Sequence, residues 1–239
     1  YKCESCPADT YHSDTHGDAL EDCEPCPRHA HSPMNSTKIS DCQCQGGYSG
    51  QPGQECIACA RGKYGFDNGQ TGCTFCPPGM TTSGNASIGS NLCYPCDEGE
   101  YSSDDNSACL PCPANSTSDS NSSSVTDCKC NSGFEGENGE TCTICDKGKY
   151  DQGSLNTACS DCPAGKFNPR LGSVASTDMD PCSECEAGKF STGGQEICDD
   201  CKQNSHSNAG SKTYIDCKCN QGYQGEHGGT CSACPAGTY

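Results

Sequence analysis

Apolar residues along this chain neither recur with a helical period nor gather into long runs. None approaches the 18 or more consecutive apolar positions that a membrane-spanning helix needs. What recurs is a Gly followed two residues later by an aromatic, as in Gly62 to Tyr64, Gly99 to Tyr101, Gly148 to Tyr150, Gly165 to Phe167 and Gly188 to Phe190. Gly suits turns that need positive φ, and the aromatic is placed to cover a disulfide or to pack on the next module. The intervening stretches are short and polar. The pattern predicts short β-hairpins and loops, with little or no helix.

Composition explains why no larger pattern emerges. Of 239 residues 28 are Cys, with five Phe, three Met and no Trp. Once Cys is set aside, about a fifth of the chain is ordinary apolar residue, well below a normal globular share. So thin a supply cannot bury a core that offsets the entropy of ordering the whole chain, which excludes a large single-core enzyme fold. The net charge of −18 repels phosphate backbones and anionic lipid, so neither nucleic acid nor membrane insertion by this segment is expected. The chain opens at Tyr1, Lys2 and Cys3 and closes between Cys234 and Tyr239, inside cysteine motifs at both ends. It is expected to be a segment of a longer mature chain, with any signal or anchor outside it.

The cysteines form a ladder. All 28 fall into 14 close pairs, 11 spaced CxxC and three spaced CxC; the latter are Cys42/Cys44, Cys128/Cys130 and Cys217/Cys219. From Cys23 onward the gaps between pairs read 15, 11, 13, 16 and 12, then 15, 11, 13, 19 and 12, then 15 and 11. That register defines a ten-cysteine super-repeat, present twice in full and continued at each end.

Two motifs stand out within it. The segment Cys130 to Cys142, with Gly133, Phe134 and Gly136, resembles the last loop of an EGF-like module, and Cys44–Cys56 and Cys219–Cys231 are its counterparts. The motif C-x-x-C-x-x-G-x-[YF] starts its second half at Cys59, Cys96, Cys145, Cys162, Cys185 and Cys234. It resembles the ephrin-receptor-like cysteine-rich repeats of animal receptors and of large protist surface proteins. The resemblance covers essentially the whole chain and speaks to architecture more than to function.

The EGF resemblance implies a crossed pairing in each six-cysteine module. It gives Cys6–Cys26, Cys23–Cys42 and Cys44–Cys56, then Cys96–Cys112, Cys109–Cys128 and Cys130–Cys142, then Cys185–Cys201, Cys198–Cys217 and Cys219–Cys231. Four-cysteine modules between them take Cys59–Cys76 with Cys73–Cys93, and Cys145–Cys162 with Cys159–Cys182. Cys3 and Cys234 are left unpaired within the segment. Six cysteines allow 15 connectivities, so other pairings stay open. The implied boundaries are 1–5 (end of a preceding module), 6–56, 59–93, 96–142, 145–182, 185–231, and 234–239 (start of the next). The fold class is thus small disulfide-rich modules of short β-hairpins and loops in an elongated tandem array, the bridges standing in for a core.

Candidate chemistry is sparse. Paired CxxC motifs can supply zinc thiolates, but the EGF-type loops, the CxC pairs and an even ladder favour disulfides; no cofactor and no metal is expected. His12, His16, His29 and His31 are read as solvated loop residues. A catalytic CxxC needs a helix start in a βαβ setting that is missing here. The calcium signature of EGF modules is absent before Cys96 and Cys185, leaving Asp104, Asp105, Asp178, Asp180, Asp199 and Asp200 as at most weak sites. N-x-[ST] sequons stand at Asn35, Asn85, Asn115 and Asn121, and a disulfide-rich chain travels the secretory route where they are used. Asn35 and Asn121 occupy the same place in successive super-repeats, and Gly210 replaces them in the third. The Ser/Thr-dense stretch from Asn115 to Thr126 suits O-linked sugar. No nucleophile–base constellation occurs, and no enzymatic activity is expected.

The chain therefore reads as an extracellular or cell-surface structural glycoprotein. A disulfide-stapled repeat rod of this kind would associate with itself or with further repeats to build a filament, mastigoneme-like by fold analogy, with covalent glycans. The alternative is the stalk or ligand-binding region of a receptor, adhesin or protist surface protein. Its distinctive patch would be the 19-residue gap between Cys162 and Cys182, around Phe167, Arg170 and Leu171.

Overall fold

The structure, a computed structural model, describes residues 4–238 other than 16, 18, 67, 68, 70, 90, 91, 156, 157, 177 and 178. Its unit is a rung: one disulfide around one two-residue or three-residue hairpin. In the rung closed by Cys145–Cys159, Lys149–Tyr150 pairs antiparallel with Ser160–Asp161. Lys166–Phe167 pairs with Ser183–Glu184 in the next rung, and Lys189–Phe190 with Asp199–Asp200 in the one after. Thirteen such rungs follow one another among the described residues, their Cα–Cα distances across the bridge all between 5.5 and 5.8 Å. The expected class of small disulfide-rich modules of hairpins and loops in tandem is what the chain forms. Its only helical elements among the described residues are single 3-10 turns such as Ile39–Asp41 and Val125–Asp127.

The pairing of cysteines differs from the EGF order. Cys44–Cys56, Cys130–Cys142 and Cys219–Cys231 are present. The crossed bridges Cys6–Cys26 and Cys23–Cys42 are replaced by Cys6–Cys23 and Cys26–Cys42. Cys59–Cys76 and Cys73–Cys93 give way to Cys59–Cys73 and Cys76–Cys93, and Cys96–Cys112 and Cys109–Cys128 to Cys96–Cys109 and Cys112–Cys128. Cys145–Cys162 and Cys159–Cys182 become Cys145–Cys159 and Cys162–Cys182, and Cys185–Cys201 and Cys198–Cys217 become Cys185–Cys198 and Cys201–Cys217. Cys234 is free among the described residues; Cys3 lies outside them.

The reason lies in strand geometry. Lys149–Tyr150, just after Cys145, pairs with Ser160–Asp161, which follows Cys159 directly, so the hairpin brings Cys159 and not Cys162 back to Cys145. In each CxxC the first cysteine therefore turns back to close its own hairpin, and the second opens the next rung. No bridge crosses another, and the six- and four-cysteine modules reduce to one repeating unit. The chain divides into two compact units, Tyr1–Cys112 with Ser118–Cys128 and Pro113–Thr117 with Lys129–Tyr239.

Two left-handed corners recur from rung to rung, though between Cys6 and Cys23 only Asp9 is left-handed among the described residues. The first stands three residues after the opening cysteine, and there Asp9, His29, Asn115 and Asn204 take the place that Gly holds elsewhere, all with φ between 60° and 67°. Gly148 shows why Gly prevails. Its φ is +81°, and a Cβ there would meet the Gly194 carbonyl oxygen, two rungs on, at 2.3 Å. Gly194 is the second corner of its own rung (φ +65°) and donates its N–H to the carbonyl of Cys162, 2.9 Å away. Within each unit the contacts thus run from a rung to the next and the next but one.

Between rungs runs a buried polar spine. The residue six places after the opening cysteine is buried and polar at Ser32, Thr82, Ser102, Ser118, Asp151, Asn168, Ser191 and Ser207. Each serves the rung before it. Gly148, Gly165 and Gly188 donate their N–H groups to the carbonyls of Asn168, Ser191 and Ser207, all at 2.8–2.9 Å. Gly62, Gly79 and Gly133 donate instead to the side chains of Thr82, Ser102 and Asp151, at 2.9, 3.0 and 2.7 Å. The Ser118 and Ser207 hydroxyls in turn donate to the carbonyls of Glu100 and Lys189. The buried apolar set is almost all cysteine, joined by Tyr11, Ala30 and Tyr64. Each bridge contributes on the order of 3 kcal/mol through loop closure, and each spine hydrogen bond about 1 kcal/mol, so the covalent link within a rung outweighs any single link between rungs.

Candidate functional site

The sequons fall on the corners. Asn35 and Asn121 are exposed second-corner residues, each with φ 66°, donating their N–H groups to the carbonyls of Cys6 and Cys96 at 2.9 and 2.8 Å. Gly210 has the same bond to Cys185 at φ +70°, so the three positions are structurally one. Asn is among the few residues that visit this conformation readily. The following Ser is also used by the fold. Ser36 and Ser122 are buried, form parallel bridges with Tyr11 and Tyr101, and donate their hydroxyls to Pro33 and Asp119. What the fold does not use is the hydroxyl that completes the sequon. Thr37 and Ser123 are exposed and make only backbone bonds, to Asp41 and Asp127, and Lys212 makes the same bond to Asp216 in the third copy.

The other two sequons are built differently. Asn85 is exposed and precedes the corner, which Ala86 supplies at φ 59°; its sequon Ser87 is the buried bridge residue. Asn115 is a first-corner residue at φ 62°, and its Nδ2, the atom a glycan would occupy, donates to the carbonyl of Cys142 at 3.1 Å. Much of the neighbouring serine-rich stretch is likewise engaged in hydrogen bonds within the fold. The Ser116 hydroxyl donates to Pro113 and Ser124 pairs with Thr126, alongside Ser118 and Ser122 above.

Several carboxylates have structural work as well. Asp22, Asp41, Asp127 and Asp216 each precede a cysteine and fold back to accept N–H groups at the start of a 3-10 turn, at 2.8–3.0 Å. At Asp216 the N–H groups of Thr213 and Lys212 hold the carboxyl below its ordinary pKa. Asp105 is held at about 2 by the Ser107 hydroxyl, then the Ser103 hydroxyl and the Ser107 N–H. Because the folded value of Asp105 is depressed, its bonds to Ser103 and Ser107 are intact above the unfolded aspartate pKa of about 3.9 and are lost as pH falls through about 2. An NMR titration should therefore show the Ser103–Ser107 turn opening with a midpoint near 2; a midpoint near 4 would refute the arrangement.

The structure does not gather the candidate metal residues. His29 stacks on Tyr48 with ring centroids 4.1 Å apart, and His12 Nδ1 meets the Asp22 carbonyl at 2.9 Å. Asp180 bonds Lys166 and the Cys182 N–H, Asp199 accepts from Gln195, and Asp200 faces Lys189. His16 and Asp178 lie outside the described residues. Among the described residues no three His, Cys, Asp or Glu stand where they could hold an ion.

The inserted loop between Cys162 and Cys182 folds back on the rung before it. Asn168 is buried and donates its Nδ2 to the Lys149 carbonyl, while Val174 bridges in parallel to Asp151. It encloses a shallow groove of about 490 Å³ lined by Phe167, Pro169, Arg170, Leu171 and Met179. Lys166 and Asp180 pin its two ends.

Comparison with known proteins agrees with this architecture. Residues 46–91 and 133–178 match the family described as tyrosine-protein kinase ephrin type A/B receptor-like, so the chain carries two copies of that cysteine-rich repeat. A rat protein named "Sushi, von Willebrand factor type A, EGF and pentraxin domain-containing protein 1" is 34% identical over 105 residues, and its mouse counterpart 32%. A mouse protein named "Signal peptide, CUB and EGF-like domain-containing protein 3" is 31% identical over 123 residues. Each alignment covers 42% of this chain, but only 3% of the first two proteins and 12% of the third. The chain is of extracellular type, and among the described residues no helix is long and apolar enough to cross a membrane.

Proposed function

We propose that a chain carrying these repeats is an extracellular structural glycoprotein segment, a disulfide-stapled scaffold that spaces or supports other parts of a surface assembly. The observation that carries this reading is the equivalence of the rungs: bridges, corners and spine hydrogen bonds consume the interior, and little of the chain is left over for a site. No catalytic role belongs to it. Glycans at Asn35, Asn85 and Asn121 are part of the proposal. Asn115 stays bare in it, because its amide is committed to Cys142.

Two settings remain for such a scaffold. The named relatives are far longer than this chain, which favours a spacer within a multi-domain ectodomain. Stacking that repeats from rung to rung in one register favours self-association into a filament, mastigoneme-like in kind. One experiment addresses both. Passed through a eukaryotic secretory pathway, the chain should emerge oxidised, with glycosidase-released mass at Asn35, Asn85 and Asn121. Electron micrographs of the product should show single particles for the spacer and ordered polymers for the filament. Retention inside the cell with reduced thiols and no sugar would defeat the scaffold reading itself.

A further inference from the structure

The covalent topology has a mechanical consequence. Every bridge is local, closing a loop of 12 to 20 residues in sequence separation, and no bridge spans another. A pull on the chain therefore passes from cysteine to cysteine through the bridges. Outside the bridges, the load path contains only the short CxxC and CxC links.

The two kinds of connection along that path differ in strength. Successive rungs are joined by single spine hydrogen bonds such as Gly133 to Asp151 and Gly79 to Ser102, by corner bonds such as Gly172 to Cys145, and by parallel bridges such as Phe190 to Ser211. The described apolar cluster is small, being Tyr11, Ala30, Cys42, Cys44 and Cys56 with Cys26 and Tyr48 against it. Within a rung the connection is a covalent bond. Load must open the contacts between rungs first and leave the rungs closed.

We infer that the array is an extension limiter: it gives reversibly as rung-to-rung contacts open, then stops hard when the bridges come taut. With the thirteen bridges near their 5.5–5.8 Å Cα–Cα spans, the taut path from Cys6 to Cys231 is about 190 Å at roughly 3.4 Å per linking residue. The same stretch of chain with its bridges reduced extends to about 770 Å. The fourfold difference is what oxidation withholds. The use of such a stop rests on the scaffold reading, but the stop itself follows from connectivity alone.

Single-molecule force extension of the whole glycosylated chain, held through handles at its two ends, tests this. The oxidised chain should lengthen at low load, recover on relaxation, and reach no more than about 190 Å in all between Cys6 and Cys231. Adding a thiol reductant under load should then release discrete steps of roughly 35–60 Å, one per bridge. An oxidised chain that runs well past 300 Å, or one that shows no reversible give before its bridges are reduced, overturns the inference. Neither of those results touches the scaffold reading, which falls instead on the secretion and glycosylation outcomes above.

Discussion

Replacing both Cys145 and Cys159 with Ser is expected to cost about 3 kcal/mol of stability, the loop-entropy value for a closure of this length. The loss should be local, because the separation across this bridge is 14 residues and no other bridge enclosing the hairpin remains to hold it. Lys149–Tyr150 and Ser160–Asp161 supply one two-residue ladder, too little to persist alone in water. Amide exchange should accelerate at Tyr150 and Ser160 and spread to Gly133, whose N–H rests on Asp151 of the same rung. The rungs closed by Cys201–Cys217 and Cys219–Cys231 should keep their protection. A thiol count adds a second arm. The double variant should expose no new free thiol, since the two cysteines are each other's partners, whereas the crossed order would orphan Cys162 and Cys182. Two additional reactive thiols, or uniform loss of protection along the chain, would contradict the rung as the unit.

Gly148→Ala should cost roughly twice as much as Gly188→Ala, although the two glycines share a motif position and nearly the same φ, +81° and +87°. Both variants bear the left-handed penalty of a Cβ, roughly 1–2 kcal/mol. At Gly188 nothing lies within reach of the added methyl. At Gly148 it would stand 2.3 Å from the Gly194 carbonyl oxygen and 2.9 Å from the Gln195 nitrogen, both backbone atoms that cannot swing aside. Separating the rungs to admit it also strains the corner bond from Gly194 to Cys162 and the bond from Gly148 to Asn168. An overpacking term of about 1–3 kcal/mol is expected on top. Denaturant melts of the two oxidised variants give the comparison. Equal destabilisation would mean that the stacking of a rung on its next-but-one neighbour contributes nothing.

Much of this architecture is legible in the residues, and the parts that are not have identifiable causes. The CxxC spacing and the Gly two residues before each aromatic mark the rungs plainly, because a tight left-handed turn admits few residue types. The pairing of cysteines is not legible by counting, since crossed and sequential orders both use 26 cysteines and strand the same two. The strand pairing decides between them, but the hairpins are two or three residues long and leave almost no alternation from which to read it. The polar spine is hidden for a different reason. Ser102, Ser118, Asp151 and Asn168 look like ordinary loop residues, and only their constant distance from the opening cysteine distinguishes them. Asp41, Asp127 and Asp216 are indistinguishable by sequence from the acidic background, and only the N–H groups they accept set them apart. The sequons at Asn35 and Asn121 show the opposite hazard: the Asn and the Ser that follows each serve the fold, so only Thr37 and Ser123 argue for sugar.

The central claim is that one hairpin and one bridge make each rung. Non-reducing proteolysis of the oxidised chain with peptide mapping tests it most directly, best between Cys145 and Cys182, where sequential and crossed orders share no bond. Fragments joined as Cys145–Cys159 and Cys162–Cys182 are the predicted result; fragments joined as Cys145–Cys162 and Cys159–Cys182 would contradict it.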